Sequence, residues 1–246
     1  MENIVYLAPA IFLLAGTVKG AIGIGLPTTV IAILSQFVDP RLAVALGLVP
    51  VVFANCWQAY RERKWKVTLL RFWPFALTLS VVIYLGSGLA AGSSKETILL
   101  VTGAGIAVFA ASSLIRRPPA MPPGWEFPAQ VFAGAASGVM GGFTGLWAAP
   151  MIILLLSLRL DKSEFVGATG VLLFLGGLPL FAGYAVNGLI TKDIFFLSLA
   201  LCIPTYLGFA LGERVRRRMD SRRFQKALLI FFLLIGLNMV RQALSG

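Results

Sequence analysis

The chain contains no histidine and only ten carboxylates, all of which lie at the ends of apolar segments. Nucleophile–base and two-acid catalytic arrangements therefore lack candidate residues, and the usual proton carriers of transporters are missing from the segments. The two cysteines, Cys56 and Cys202, lie within apolar segments, which favours free thiols over a disulfide or a metal site. The sequence predicts no catalytic residue, no metal ligand and no cofactor, so an enzyme is not expected.

Apolar residues are abundant instead: 58% of the 246 residues are hydrophobic, 13% are charged, and the mean hydropathy is +0.88. Apolar runs of about 18 residues or more indicate membrane helices, and such runs recur along the whole chain. The predicted fold class is an all-α integral membrane protein. The N-terminus lacks a basic start and a small-residue cleavage signature, so no removable signal peptide is predicted.

Two of the apolar stretches are too long for single membrane helices. A continuous helix over 4–36 or 128–158 would be about 46–50 Å long, well beyond a hydrocarbon core of about 30 Å. Glycines interrupt both stretches, and Pro27 and Pro150 follow the glycines. Each stretch is therefore predicted to be a glycine-broken helical hairpin. The ten predicted segments are roughly 4–18, 21–36, 42–60, 68–91, 97–115, 128–141, 143–158, 165–188, 194–212 and 227–243.

The distribution of basic residues supports the hairpins. If both stretches return to the side they entered from, sixteen Lys and Arg lie on one side and four on the other, with Lys19 buried. If 128–158 crossed once, the division would be nine against eleven. Because basic loops stay in the cytoplasm, the hairpins are favoured, with both termini outside. The net charge of +11 thus predicts loops such as Arg214–Lys226 against anionic lipid headgroups, and no nucleic-acid partner.

The two halves of the chain repeat each other. Each half has five segments, an odd number of effective passes, so the halves are predicted to have inverted topology. The predicted domains are a first transmembrane repeat at 1–116, a Pro-rich cytoplasmic linker at 117–127 and a second repeat at 128–246. Inverted repeats are typical of secondary transporters, whose substrate site lies at broken helices near the bilayer midplane. The matches are Gly16 and Gly20 with Gly134 and Gly138, Asp39 with Asp161, Gly47 with Gly170, and Tyr84-Leu-Gly86 with Tyr206-Leu-Gly208.

Lys19 is the candidate charged residue of such a site, because it lies in the middle of the first glycine-broken stretch. Ionisable residues inside membrane segments indicate function by default. Its ammonium would neutralise an anion, while backbone N–H groups at the helix start after Gly25 donate to the same oxygens. The alternative is that Lys19 extends along its aliphatic stem to the interface and binds nothing.

The other candidate substrate-binding residues are glycines that would expose backbone at the hairpin tips, and polar or aromatic side chains near them. Helix packing by the glycines, hydroxyl bonds within a helix, and contacts between helices through the amides are the alternatives. Trp147 is predicted to close the pocket as an apolar lid or simply to pack. The full set is Lys19, Gly20, Gly23, Gly25, Thr28, Thr29, Asn55, Gln58, Ser137, Gly138, Gly141, Thr144 and Trp147.

The paired glycine-rich entries, Gly16–Pro27 and Gly134–Pro150, resemble those of the sulfite exporter TauE/SafE family. The segments that start near Ala45 and Ala168 and the two Tyr-Leu-Gly ends are similar as well. The resemblance covers nearly the whole chain. It implies a multi-pass permease of the bacterial inner membrane that moves small sulfur-containing anions such as sulfite or sulfonates, usually outward.

The functional hypothesis is therefore export of such an anion by alternating access at a midplane site between the two repeats. An anion channel and a carrier for a small organic carboxylate stay open as alternatives. A small anion and the lipid bilayer are the expected partners, and the sequence leaves a homo-oligomer open.

Overall fold

The computed structural model describes residues 2–115, 118–216 and 221–245, and the secondary structure of this part of the chain is entirely α-helical. The helices are α1 (Glu2–Ile22), α2 (Leu26–Leu34), α3 (Pro40–Glu62), α4 (Trp65–Gly92), α5 (Lys95–Ile115), α6 (Glu126–Thr144), α7 (Ala148–Ser157), α8 (Lys162–Val186), α9 (Lys192–Ala200), α10 (Cys202–Arg216) and α11 (Ser221–Ser245).

Six helical stretches among the described residues are long and apolar enough to cross a membrane. Two shorter apolar helices, in α1 and α7, belong to the glycine-broken stretches. The predicted all-α membrane fold is confirmed, and the protein is a multi-pass membrane protein. The six stretches are Pro40–Glu62, Trp65–Gly92, Lys95–Leu114, Ser163–Val186, Lys192–Arg214 and Lys226–Ser245.

The predicted segment 194–212 is divided into α9 and α10 at Leu201. Pro204 has no backbone N–H and cannot donate to the carbonyl of Ala200, so the regular hydrogen-bond ladder is interrupted there. The helical hydrogen bonding resumes at the next residue, because the backbone N–H of Thr205 donates to the Leu201 oxygen at 3.2 Å. One proline therefore accounts for the extra helix.

Both predicted breaks are present, but they lie a few residues later than predicted. α1 continues through Lys19 and Gly20 to Ile22, and α6 continues to Thr144. The helices end only where glycine adopts a positive φ: 90° at Gly23 and 74° at Gly145. Left-handed backbone is the conformation that most strongly requires glycine, so these glycines, not the earlier ones, set the turns.

The chain divides into two compact units that each combine helices from both halves of the sequence. Unit 1 contains Met1–Pro50, Ser93–Ile115 and Ile190–Gly246; unit 2 contains Val51–Gly92 and Arg116–Leu189. Helix α3 passes from one unit to the other at Pro50. The predicted division at 1–116 and 128–246 concerns sequence repeats and stays a prediction. Its boundary residues Arg116 and Arg117, and 217–220 of the basic loop, lie outside the described residues.

In unit 1, α1 packs against α10 and α5 packs against α11, each pair through glycines. A Cβ added to Gly16 would overlap the carbonyl oxygen of Thr205 on α10. A Cβ added to Gly103 would lie 2.7 Å from the carbonyl oxygen of Gly236, and the reverse is also true. The backbones of these membrane helices are therefore in direct contact, which small residues permit.

In unit 2, α4 packs against α6 and α8. Gly142 on α6 faces the backbone of Ile83 and Gly86 on α4, and Gly183 on α8 faces the side chain of Ser87. The Pro-rich segment before α6 is tied to the end of α7, because the N–H of Met121 donates to the Ser157 oxygen at 2.9 Å. The predicted linker thus lies against the second glycine-broken stretch.

Candidate functional site

Lys19 lies in the last turn of α1, and its side chain is only 1% exposed. It continues a stripe of Ala8, Phe12 and Ala15, which are fully buried and separated by four, three and four residues. This spacing places the four side chains on one face of the helix. Lys19 is therefore buried within the protein, whereas a lysine that extends to the membrane interface would leave its stem on the protein surface.

The local backbone favours a cation at this position. The C-terminal end of a helix carries partial negative charge, and Lys19 is within the last turn. The N–H of Gly23 donates to the Lys19 carbonyl oxygen at 2.6 Å and closes the helix before the turn.

The start of α2 follows directly. Gly25 is the N-cap residue with a φ of 99°, and no side chain caps the helix. The N–H groups of Leu26 and Thr28 are in the first turn, where no intrahelical acceptor exists, and Pro27 has no N–H. The hydroxyl of Thr29 is used within the turn, because it donates to the Gly25 oxygen at 2.7 Å. The turn therefore places the positive end of α2 a few residues after a buried ammonium, which suits an anion.

The second turn, in unit 2, is built around Trp147. Its indole is buried, 1% exposed, and lies between two glycines. A Cβ at Gly141 on α6 would be 2.7 Å from the Trp147 Cβ, and a Cβ at Gly176 on α8 would be 2.6 Å from its Nε1. Gly141 therefore makes room for the tryptophan rather than exposing backbone at a helix break.

Two buried polar atoms near this turn have no hydrogen-bond partner in the structure: Nε1 of Trp147 and Oγ of Ser137. Ser137 is fully buried and lies one helical turn before Gly141 on the same face of α6. The hydroxyl of Thr144 is used locally instead. It donates to the Met140 oxygen at 2.6 Å and accepts from the Leu146 N–H at 3.2 Å, which stabilises the turn.

Gly20 and Gly138 lie inside helices and not at the turns. A Cβ at Gly20 would overlap the carbonyl oxygen of Phe209, and one at Gly138 would be 2.6 Å from the Cβ of Val82. Both glycines are thus used for helix packing, the alternative interpretation of their pattern. Gly23 and Gly25 do lie at the first turn, with left-handed backbone.

Asn55 and Gln58 lie in the part of α3 that belongs to unit 2. The amide of Asn55 donates to the Val51 oxygen of its own helix at 2.8 Å. The amide of Gln58 donates to the Val166 oxygen of α8 at 2.9 Å. Gln58 therefore joins two helices, one of the two roles considered for it.

The structure thus brings Lys19, Gly23, Gly25, Thr28 and Thr29 together at one turn, and Ser137, Gly141, Thr144 and Trp147 at the other. Gly176, which accommodates the indole, is the residue that the sequence analysis missed. Its only signal is the Gly176-Gly177 pair in α8, which does not reveal its partner. Within the described ranges, no three His, Cys, Asp or Glu side chains are grouped as for a metal ion.

The comparison with protein families identifies the chain. A family model described as sulfite exporter TauE/SafE matches residues 8–239, a range that contains both glycine turns. Searches of curated proteins and of solved structures found no match. The family match covers nearly the whole chain and confirms the resemblance seen in the glycine-rich entries. The protein is thus a membrane permease that belongs to the sulfite exporter TauE/SafE family.

Proposed function

We propose that this permease exports a small sulfur-containing anion, sulfite or a sulfonate, across the bacterial inner membrane, with Lys19 as the charged contact. The observation that carries the proposal is the complete burial of Lys19 next to the turn that begins α2. A neighbouring anion strongly stabilises a buried ammonium. The N–H groups in the first turn of a helix supply further hydrogen-bond donors to the anion.

The inverted repeat is part of the proposal and is supported by one constant offset. α1 and α6 end at Ile22 and Thr144, α2 and α7 begin at Leu26 and Ala148, and α3 and α8 begin at Pro40 and Lys162. All three pairs are 122 residues apart. Gly23 and Gly145, the left-handed glycines of the two turns, have the same separation. This offset aligns Gly16 with Gly138, in place of the Gly134 suggested by the sequence.

Helix packing supports the same alignment. The first helix of each half packs against the fourth segment of the other half: α1 against α10 and α6 against α4. A Cβ at Gly16 would overlap Thr205 on α10, and a Cβ at Gly138 would lie closest to Val82 on α4, one residue before the position equivalent to Thr205. Equivalent helix pairs in the two units are what two sequence repeats that exchange helices would produce.

The alignment places different residue types at equivalent positions of the two turns. Lys19 is equivalent to Gly141, and Gly25 is equivalent to Trp147. In the first repeat, the end of the helix contributes Lys19 and the turn contributes Gly25. In the second repeat, the end of the helix contributes Gly141 and the turn contributes Trp147. Each turn therefore contains one buried side chain with N–H donors, an ammonium in one and an indole in the other.

Alternating access at a midplane site is the mechanism that we propose from the inverted repeat. The apolar segments contain no carboxylate or histidine to carry a coupling proton. An anion that leaves a negative cell interior moves down the membrane potential, by about 2.3 kcal/mol per charge for each 100 mV. Export then needs no coupling ion. A channel for anions and a carrier for small carboxylates are the alternatives, and both predict the same charged contact.

Reconstituted vesicles test the proposal. Uptake of sulfite, sulfoacetate, taurine, sulfolactate and simple carboxylates is measured with the wild-type chain and with Lys19→Met, which keeps an unbranched side chain one atom shorter and removes its charge. Lys95→Met is the matched control, because Lys95 is exposed at the start of α5.

We expect saturable sulfite or sulfonate flux in the wild type and in the control, and flux at least about tenfold lower in Lys19→Met, as for the loss of a hydrogen bond to a charged group. Preferential carboxylate flux would contradict the substrate class. Single-channel conductance in a planar bilayer would identify a channel instead of a carrier. Full flux in Lys19→Met would remove Lys19 from the site.

A further inference from the structure

We infer that the indole N–H of Trp147 donates a hydrogen bond to the transported anion, and that Gly176 positions the ring for this contact. The inference rests on the proposed function, because it assumes an anionic substrate. It assigns to Trp147 the role of a polar donor, which differs from an apolar lid, and it adds a positioning residue on α8.

Trp147 is buried, yet its Nε1 has no hydrogen-bond partner in the structure. The indole N–H usually finds a partner when it is buried, and buried polar atoms without one call for an explanation such as an absent ligand. The hydroxyl of Ser137, fully buried on the same helix face as Gly141, is a second donor in unit 2 without a partner.

Trp147 also lies at the start of a helix. Trp147 is the N-cap residue of α7, which has ten residues, and its side chain makes no capping hydrogen bond. The N–H groups of Ala148 and Ala149 lie in the first turn, where no intrahelical acceptor exists. An anion at this end of α7 would accept from backbone and indole donors together.

A glycine lies against each end of the Trp147 side chain. A Cβ at Gly176 would be 2.6 Å from Nε1 and 3.0 Å from Cδ1, so even alanine would displace the N–H edge of the indole. A Cβ at Gly141 would be 2.7 Å from the Trp147 Cβ, so the base of the tryptophan side chain lies directly against this glycine. These two glycines therefore fix the position of the indole N–H edge.

Indole NMR on the full chain in lipid nanodiscs provides the test. The five tryptophans are labelled with ¹⁵N, and Trp147→Phe assigns the Trp147 signal. Sodium sulfite is titrated against sodium chloride at equal ionic strength. We expect a saturable downfield shift of the Trp147 N–H signal only, at concentrations that match those saturating flux. An unchanged signal, as expected for a purely structural ring or one bonded to water, would overturn the inference.

Transport by variants gives the second readout. Trp147→Phe keeps an aromatic ring without the N–H group and is expected to raise KM for sulfite about tenfold, the factor for roughly 1.4 kcal/mol. Gly176→Ala should shift the Trp147 N–H signal in the absence of sulfite and raise KM. Gly92→Ala should do neither, because a Cβ at Gly92 would meet nothing within 4 Å. Trp125→Phe, at a residue 62% exposed, is the tryptophan control.

The two proposals fail in different ways. If the wild-type chain transports no anion of the panel, the proposed function fails. If it transports sulfite while the Trp147 signal does not respond and Trp147→Phe keeps the wild-type KM, only the assignment of the indole donor fails.

Discussion

Substitution of Gly16 by alanine tests the packing of α1 against α10, which holds the helix that contains Lys19. The added Cβ would overlap the carbonyl oxygen of Thr205 and lie 3.0 Å from the N atom of Phe209. Both are backbone atoms of a helix, so neither can rotate away. Overpacking of this kind costs about 1–3 kcal/mol. Alanine also gains up to about 1 kcal/mol of helix propensity over glycine, which masks part of the loss.

The control variant adds the same methyl group without a clash. Gly92 is the last residue of α4, and a Cβ there would meet nothing within 4 Å. Reversible unfolding by SDS in mixed micelles, followed by circular dichroism, measures both variants. Gly16→Ala should be less stable than Gly92→Ala by about 1–3 kcal/mol. Equal stabilities would refute the close α1–α10 contact.

Two further substitutions probe polar contacts of unit 2. Gln58→Leu removes the amide that donates to the Val166 oxygen. It should lower the free energy of unfolding by about 1 kcal/mol, measured in the same SDS titration. An unchanged or higher stability would show that this hydrogen bond does not hold α3 to α8. Glu126→Gln removes the paired contact with Arg71, whose Nε lies 2.7 Å from the carboxylate. Because both side chains are exposed, the loss should stay below about 1 kcal/mol and shrink further in 1 M salt, as thermal unfolding would show; a larger loss that salt does not alter would contradict this.

The helices were predictable because apolar runs are a property of composition, but their ends were not. Pro204 interrupts a helix and Pro74 follows a kink at Phe72, whereas Pro50 and Pro179 lie inside continuous helices. A proline removes one hydrogen bond in every case, and whether the helix recovers depends on neighbours that the sequence does not identify.

The positions of the two turns were also not determined by local sequence. The glycine clusters predicted that both long stretches are broken, and they are. The breaks lie at Gly23 and Gly145 because those residues adopt positive φ, while Gly20 and Gly138 stay helical to pack against other helices. A glycine suits both roles, so only the packing decides between them.

The candidate site was predictable in its residue types and less so in its contacts. The sequence predicts Lys19 from its charge and from its place in a glycine-broken apolar stretch. The place of the Trp147 indole between Gly141 and Gly176 depends on the approach of α8, and no local pattern encodes a contact with a residue 29 positions later in the chain.

Equilibrium binding of radiolabelled sulfite to the purified chain tests the role of Lys19 most directly, because it separates recognition of the anion from the transport cycle. We predict that Lys19→Met weakens binding at least about tenfold, consistent with the loss of a charged hydrogen bond worth roughly 1.5–3 kcal/mol. Lys19→Arg, which keeps the charge, should retain part of the affinity, and Lys95→Met should bind as the wild type does. Wild-type affinity in Lys19→Met would contradict the account.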